Sequence, residues 1–207
     1  MKREDVIKKV KVKLEEFSPF DEPKSLVAIE DSNVKPINSY IEETLDTAYD
    51  DVLLLAPLHL IKENVSDIYD EKIEVAKKVG YLEVPDDYLR LHSVMFDKWK
   101  RMVNRVIYPD QAEYALQRNE YTRGGIAKPV IAINNNKFEI YSIRPTMKCE
   151  YFKYIPKTIQ GNGFFEDTLI DMIVLQCAIL VLEVFEQTNK AQVLSQELSN
   201  LINSYKI

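Results

Sequence analysis

Gly80-Tyr81-Leu82-Glu83-Val84-Pro85-Asp86-Asp87-Tyr88-Leu89-Arg90-Leu91 is the stretch on which the fold turns. Residues 81–84 and 88–91 are rich in aromatic and branched side chains, which favour the pleated, half-buried surface of a sheet. Between them Pro85 fixes φ, and Asp86 and Asp87 have side chains that bond nearby backbone amides, so residues 85–87 are expected to form a turn. In the second run Leu89 and Leu91 fall on one face and Tyr88, Arg90 and His92 on the other, the period of two of a half-buried strand.

Further strands surround this turn. Residues 72–75 and 81–84 flank Ala76-Lys77-Lys78-Val79-Gly80, and residues 89–96 are expected to continue the same sheet. Asp97-Lys98-Trp99-Lys100-Arg101 reads as a tip before the apolar run 102–108. Pro109 opens a short helix over 110–119 with Ala112, Ala115 and Leu116 inward. Arg123-Gly124-Gly125 reads as a flexible loop; it lacks the spacing and the lysine-serine ending of a phosphate cradle. Residues 130–133 and 138–141 enclose Asn134-Asn135-Asn136-Lys137, and because asparagine tolerates positive φ this is a hairpin. Residues 148–155 alternate Cys149, Tyr151 and Lys153 against Glu150, Phe152 and Tyr154, giving a further strand bracketed by Pro145 and Pro156.

Helical periodicity dominates both ends. Residues 2–17 place Val6, Val10, Leu14 and Phe17 on one face and Lys8, Lys9, Lys11 and Lys13 on the others. Those lysines are read as a solvated face, as a basic arm docking on an acidic neighbour, or as a weak nucleic-acid contact. Residues 21–37 read as an extended connection that crosses a neighbouring subunit. Asn38 or Ser39 caps a second helix, with Glu42 and Glu43 in its first turn and Ile41, Leu45, Ala48, Val52 and Leu55 on its apolar stripe. Pro57 ends it near Leu55, and His59 beyond it is read as a core or boundary residue. Gly161-Asn162-Gly163 hinges the chain back into helix. Asp167 or Thr168 begins a segment, 169–185, that is apolar nearly all round except for a stripe of Gln176, Glu183 and Gln187, as befits a central helix or one covered by another subunit. A short Thr188-Asn189 link then leads to a helix over 190–205 with Ala191, Leu194, Leu198, Leu201, Ile202 and Tyr205 on one face.

Together these readings give an α+β protein: a helical bundle from the N- and C-terminal segments with an inserted antiparallel β-rich subdomain. The expected divisions are 1–71 for the N-terminal helical part, 72–155 for the β-rich insertion and 156–207 for the closing helical pair. The Val84-Pro85-Asp86-Asp87-Tyr88-Leu89-Arg90-Leu91 turn after a helix, the hairpin over 127–141 and the closing pair of helices resemble the head–tail connector (adaptor, or neck ring) proteins of tailed bacteriophages. Among these the short-tailed type, and the crAss-like group, is the most similar. The similarity runs over residues 40–205 in element order and is specific at the turn and the hairpin. It implies a structural virion protein at the neck, made in the host cytoplasm, with about twelve copies in a ring beneath the portal. Its implied partners are the portal protein, other copies of itself and downstream tail or neck proteins, with DNA passing through the channel without specific binding. The resemblance implies a portal contact through the C-terminal segment, where Leu198, Leu201, Ile202 and Tyr205 are the candidates, though core packing explains the same stripe. Lys8 and Lys9 are candidates as the basic docking arm, and Trp99 with Arg101 as an amphipathic subunit contact, since Trp and Arg are enriched in interface cores, or as a plain capped turn.

Composition bounds the alternatives. Asp and Glu number 33 against 27 Lys and Arg, a net charge of −6, which argues against a broad basic nucleic-acid face. In a ring, that negative charge would repel DNA phosphate from a carboxylate-lined lumen. The competing reading is a nucleic-acid-binding module that uses Trp99 for stacking and Lys98, Lys100 and Arg101 for phosphate. The two cysteines, Cys149 and Cys177, lack metal or redox spacing and are read as reduced, buried thiols. Met1-Lys2-Arg3-Glu4-Asp5 has no apolar signal region, and the 169–185 segment is too interrupted to cross a membrane. His59 and His92 have no nucleophile partner in a recognisable motif, and adjacent carboxylates such as Glu42/Glu43 do not face each other on a helix. No enzyme, cofactor or metal site is therefore expected.

Overall fold

The computed structural model describes residues 1–16, 37–62, 65–68, 73–76, 78–141, 143–158 and 163–206. It is an α+β protein that divides into two compact units, 1–63 with 158–207 and 64–157. The first boundary falls before the expected residue 72, because Ser66 and Asp67 already pair with Tyr154 and Lys153 of the β-rich unit.

The helical unit contains α1 (Arg3–Glu16), α2 (Ile37–Leu55), α4 (Ile170–Val184) and α5 (Thr188–Ser204). Val6, Val10 and Leu14 of α1 are buried, as are Ile41, Leu45, Ala48 and Val52 of α2. Both helices pack on α4, whose apolar surface is covered nearly all round: ten of its fifteen residues are buried. Its polar exception is explained locally, since Gln176 donates to Asp51 at 2.9 Å. Arg3 clamps α1 to α2 by reaching Asp46 at 2.5 Å and the Glu42 carbonyl at 2.9 Å. Pro57 stops α2 as expected, but α2 begins at Ile37, so Glu42 and Glu43 lie in its second turn and not its first. His59 is exposed in a single 3-10 turn over Leu58–Leu60, not in a core. The expected Thr188-Asn189 link is already helix; the actual connection is residues 185–187, where Glu186 takes φ 58°. Phe17 and the 21–36 connection lie outside the described residues, as do Gly161 and Asn162.

The β-rich unit stacks two sheets. A three-stranded sheet has the order β1 (Ser66–Asp67), β8 (Cys149–Pro156), β4 (Tyr88–Phe96). A five-stranded sheet has the order β2 (Glu74–Ala76), β3 (Val79–Glu83), β7 (Lys137–Tyr141), β6 (Val130–Asn134), β5 (Val106–Ile107). One core takes Leu82, Ile131, Phe138 and Ile140 from the larger sheet and Leu91, Val94, Phe96 and Phe152 from the smaller. Alternate residues of the larger sheet, Val79, Ala132 and Tyr141, point the other way and meet α3 (Ala112–Gln117) through Tyr114. The 130–141 hairpin folds as expected: Asn135 and Asn136 form a two-residue turn at φ 49° and 59°, the left-handed conformation asparagine accepts.

Two features of the 80–91 stretch differ from expectation. Pro85-Asp86-Asp87 does form a turn, closed by the Tyr88 amide on the Pro85 carbonyl at 3.0 Å, but it carries the chain from one sheet to the other. β3 pairs with β7 while β4 pairs with β8, so residues 88–96 do not continue the first sheet. Asp87 is held by long-range partners, accepting from the Tyr154 hydroxyl at 3.0 Å. The strict period of two also fails in β4. Register shifts between Tyr88 and Arg90 and between Leu91 and Ser93 each insert a residue. The side chains that reach the core are therefore Tyr88, against Phe138 at 5.2 Å, then Leu91, Val94 and Phe96.

Candidate interaction surfaces

Trp99 sits where the chain leaves β4. Its amide donates to the Phe96 carbonyl at 2.9 Å, and this tight turn folds the indole back over the Phe96 ring at a centroid distance of 4.8 Å. The residue is 4% exposed. Trp99 is thus core and not an exposed tip, which removes it both as an interface anchor and as a base-stacking platform. Lys98, Lys100 and Arg101 stay exposed around it.

Arg101 instead forms one wall of an open cleft of about 510 Å³. The floor is the β5 and β6 edge of the larger sheet, and the opposite wall is α3. Among the described residues four cations, Arg101, Arg105, Arg123 and Lys128, line it against one carboxylate, Glu113, which lies 3.4 Å from Arg105. Met102 and Leu116 supply exposed apolar surface at its mouth, each more than half exposed. Leu116 was expected inward; α3 instead starts two residues later than Pro109 suggests, so Tyr114 and Gln117 face in while Ala112, Ala115 and Leu116 face out.

The cleft is rigidly framed. Gln117 accepts from the Gly124 amide at 2.7 Å and donates to the Glu113 carbonyl at 3.1 Å. A Cβ on Gly124 would lie 2.8 Å from Val130 Cγ2 and 2.9 Å from the Lys128 carbonyl, so the loop expected to be flexible is packed where only glycine fits. α3 is fixed to the sheet by a polar network that periodicity alone does not reveal. The Tyr114 and Tyr141 hydroxyls donate to Glu139 at 3.0 and 2.6 Å, and Asn134 donates to both the Tyr114 hydroxyl and Glu139. Burial, then the neighbouring Glu139 carboxylate, raises both tyrosine pKa values, so both hydroxyls stay protonated as donors well above neutral pH.

At the other edge of the same sheet lies a second open groove, of about 720 Å³. Asp67, Glu74, Glu83 and Asp86 line it, all exposed, against Lys137 alone among the described residues. Charge is divided unevenly over the chain as a whole. The helical unit has 11 Lys and Arg against 20 Asp and Glu, and the β-rich unit 16 against 13, so the net −6 separates into −9 and +3.

On the helical unit, Lys8 and Lys9 are exposed and border a shallow hollow of about 310 Å³ with Val12 and Val174. Lys13 beside them is paired with Glu197 at 3.0 Å. Of the expected interface residues at the C-terminus, Leu198 and Ile202 face the unit's own core, Leu201 is half-buried, and Tyr205, just past the end of α5, is exposed. Leu198 and Ile202 therefore hold α5 in place and are not themselves a docking face. His92 has its pKa lowered by burial, then by Lys153 and Arg90, and its ring nitrogen bonds only the neighbouring Ser93 at 2.8 Å. Neither cysteine forms a disulfide; Cys177 is buried as expected, but Cys149 is only half-buried. Among the described residues no group of His, Cys, Asp and Glu is placed to hold a metal ion, and no helix is long and apolar enough to cross a membrane.

No protein-family model matches this chain, and no curated protein sequence is significantly similar to it.

Proposed function

We propose that the protein is a structural component of the phage neck, forming an oligomeric ring that joins the capsid portal to the tail and extends the DNA channel. The observation that carries this reading is element order. A helical unit closed by the consecutive pair α4 and α5 is interrupted by a β-rich excursion containing the Pro85 turn and the 130–141 hairpin, the sequence of elements on which the resemblance to connector proteins rests. The β-rich unit, with charged clefts on two edges and an aromatic core buried between its sheets, suits a role in contacts between large surfaces. The mechanism is geometric: repeated heterologous contacts close a ring, and helical ends dock on the ring above. Lys8, Lys9, Arg101 and Tyr205 are the exposed members of the expected portal or subunit interface.

The test is the native mass of the purified protein, alone and after mixing with the portal protein of the same genome. A stoichiometric complex is expected. A protein that never enters a complex with the portal overturns the reading.

A further inference from the structure

The two clefts of the β-rich unit are matched in sign and lie at opposite ends of one sheet. The larger sheet runs β2-β3-β7-β6-β5; Glu74 and Glu83 of the acidic groove stand on β2 and β3, and the cationic cleft is built on β5 and β6. Among the described residues, four cations face one carboxylate at the first edge and four carboxylates face one lysine at the second. Among the described residues the edge strands are short, three and two residues, which disfavours extension of the sheet by strand pairing and leaves side chains to make the contact. A surface patch that complements a different patch on the same molecule produces head-to-tail association, which closes into a ring where the rotation allows.

From this juxtaposition we infer that the cationic cleft around Arg101 and Lys128 receives the acidic groove around Glu83 and Asp86 of a second copy of this chain. The inference rests on the ring reading above and names the surfaces that would form the ring. The exposed Met102 and Leu116 at the mouth of the cleft, and the half-buried Ile68 and Tyr81 in the groove, give the contact an apolar part that charge alone lacks. Nucleic acid fits the cleft less well. Trp99 nearby is buried, no aromatic side chain among the described residues lines the cleft, and the chain as a whole is acidic.

The experiment uses two full-length variants. R101E/K128E makes the cleft acidic; E83K/D86K makes the groove basic. All four positions are exposed, so folding is expected to survive, and circular dichroism checks it. Sedimentation velocity of the concentrated wild type at low ionic strength is expected to give species above the monomer. These should vanish at about 1 M salt, where the screening length falls to roughly 3 Å. Each variant alone presents like charges at the contact and is expected to associate at least about a hundredfold more weakly. Mixed in equal amounts, the two variants restore both contacts with the signs exchanged, and association should return. A merely structural role for these residues would not produce that rescue. A wild type and a mixture that both remain monomeric at low salt overturn the inference, as does a wild type whose association ignores the reversals. Tight, salt-sensitive binding of a duplex oligonucleotide that R101E/K128E abolishes would assign the cleft to DNA instead. A portal complex that forms equally well with either variant preserves the connector reading and sinks only the pairing of the clefts. Self-association without portal binding does the reverse.

Discussion

Truncating Trp99 to alanine tests directly whether the indole is core or surface. The side chain is 4% exposed and packs on Phe96 at 4.8 Å in a cluster that also holds Phe138 and Phe152. Removing a buried aromatic to alanine costs about 3–5 kcal/mol, the lost transfer energy plus the cavity left behind. With a urea slope of about 2 kcal/mol/M for a unit of this size, the midpoint should fall by roughly 2 M. Trp99→Phe is the informative control. The indole Nε1 meets no hydrogen-bond acceptor among the described residues, so phenylalanine gives up no polar contact and removes an orphaned donor. The lost volume and the relieved donor offset each other to leave a cost of about 1 kcal/mol. Far-UV circular dichroism follows the transition, since the chain has only this tryptophan and its fluorescence disappears with the substitution. Two units can unfold in two steps, and the step that moves must be that of the β-rich unit. Surface positions stay within about 0.5 kcal/mol, so a Trp99→Ala midpoint within about 0.3 M of the parent would refute the burial.

Gly124→Ala should lower the melting temperature by an amount equivalent to about 1–3 kcal/mol, because the new Cβ meets the Lys128 carbonyl and Val130. Gly125→Ala, with open space around it, should be neutral, and equal effects in a thermal scan would contradict the packing of that loop. At the hairpin, Asn136→Gly should gain a few tenths of a kcal/mol and Asn136→Val should lose about 1–2, since φ 59° suits glycine and strains a branched residue. Burial pushes the Cys177 thiol up to about 11, partly offset by its contact with Thr44. A raised folded pKa means stability is intact below the unfolded value near 9 and is lost as pH rises toward 11, here by an amount on the order of 2–3 kcal/mol. Cys177→Ala should flatten that part of the curve relative to wild type, and an unchanged slope in urea titrations between pH 9 and 11 would rule the contribution out.

What was legible in the sequence was local. The hairpin could be read because two asparagines at its tip satisfy positive φ without help from elsewhere, and the helices because Val6, Val10 and Leu14, or Leu194, Leu198 and Ile202, repeat at the helical period. The sheet change at Pro85 could not, since whether residue 88 pairs with β3 or with a strand some sixty residues on is a long-range choice that the turn leaves open. Bulges hid the inward set of β4: each shifts the phase by one residue, so Tyr88 and Leu91 share a face that strict alternation assigns to opposite sides. Trp99 read as exposed because Lys98, Lys100 and Arg101 flank it, while the tight turn at Phe96 that folds the indole inward leaves no periodic signal. Of the candidate surfaces, Arg101 was found from its basic neighbours. Arg105, Arg123, Lys128 and the acidic set Asp67, Glu74, Glu83 and Asp86 were not, because only the sheet order brings residues so far apart to common edges.

A ring seated on the portal is tested by electron microscopy of the purified protein incubated with assembled portal. A closed ring of about twelve copies, coaxial with the portal and continuing its channel, is expected. Portal particles that remain bare, or that carry scattered single copies without closure, would contradict it.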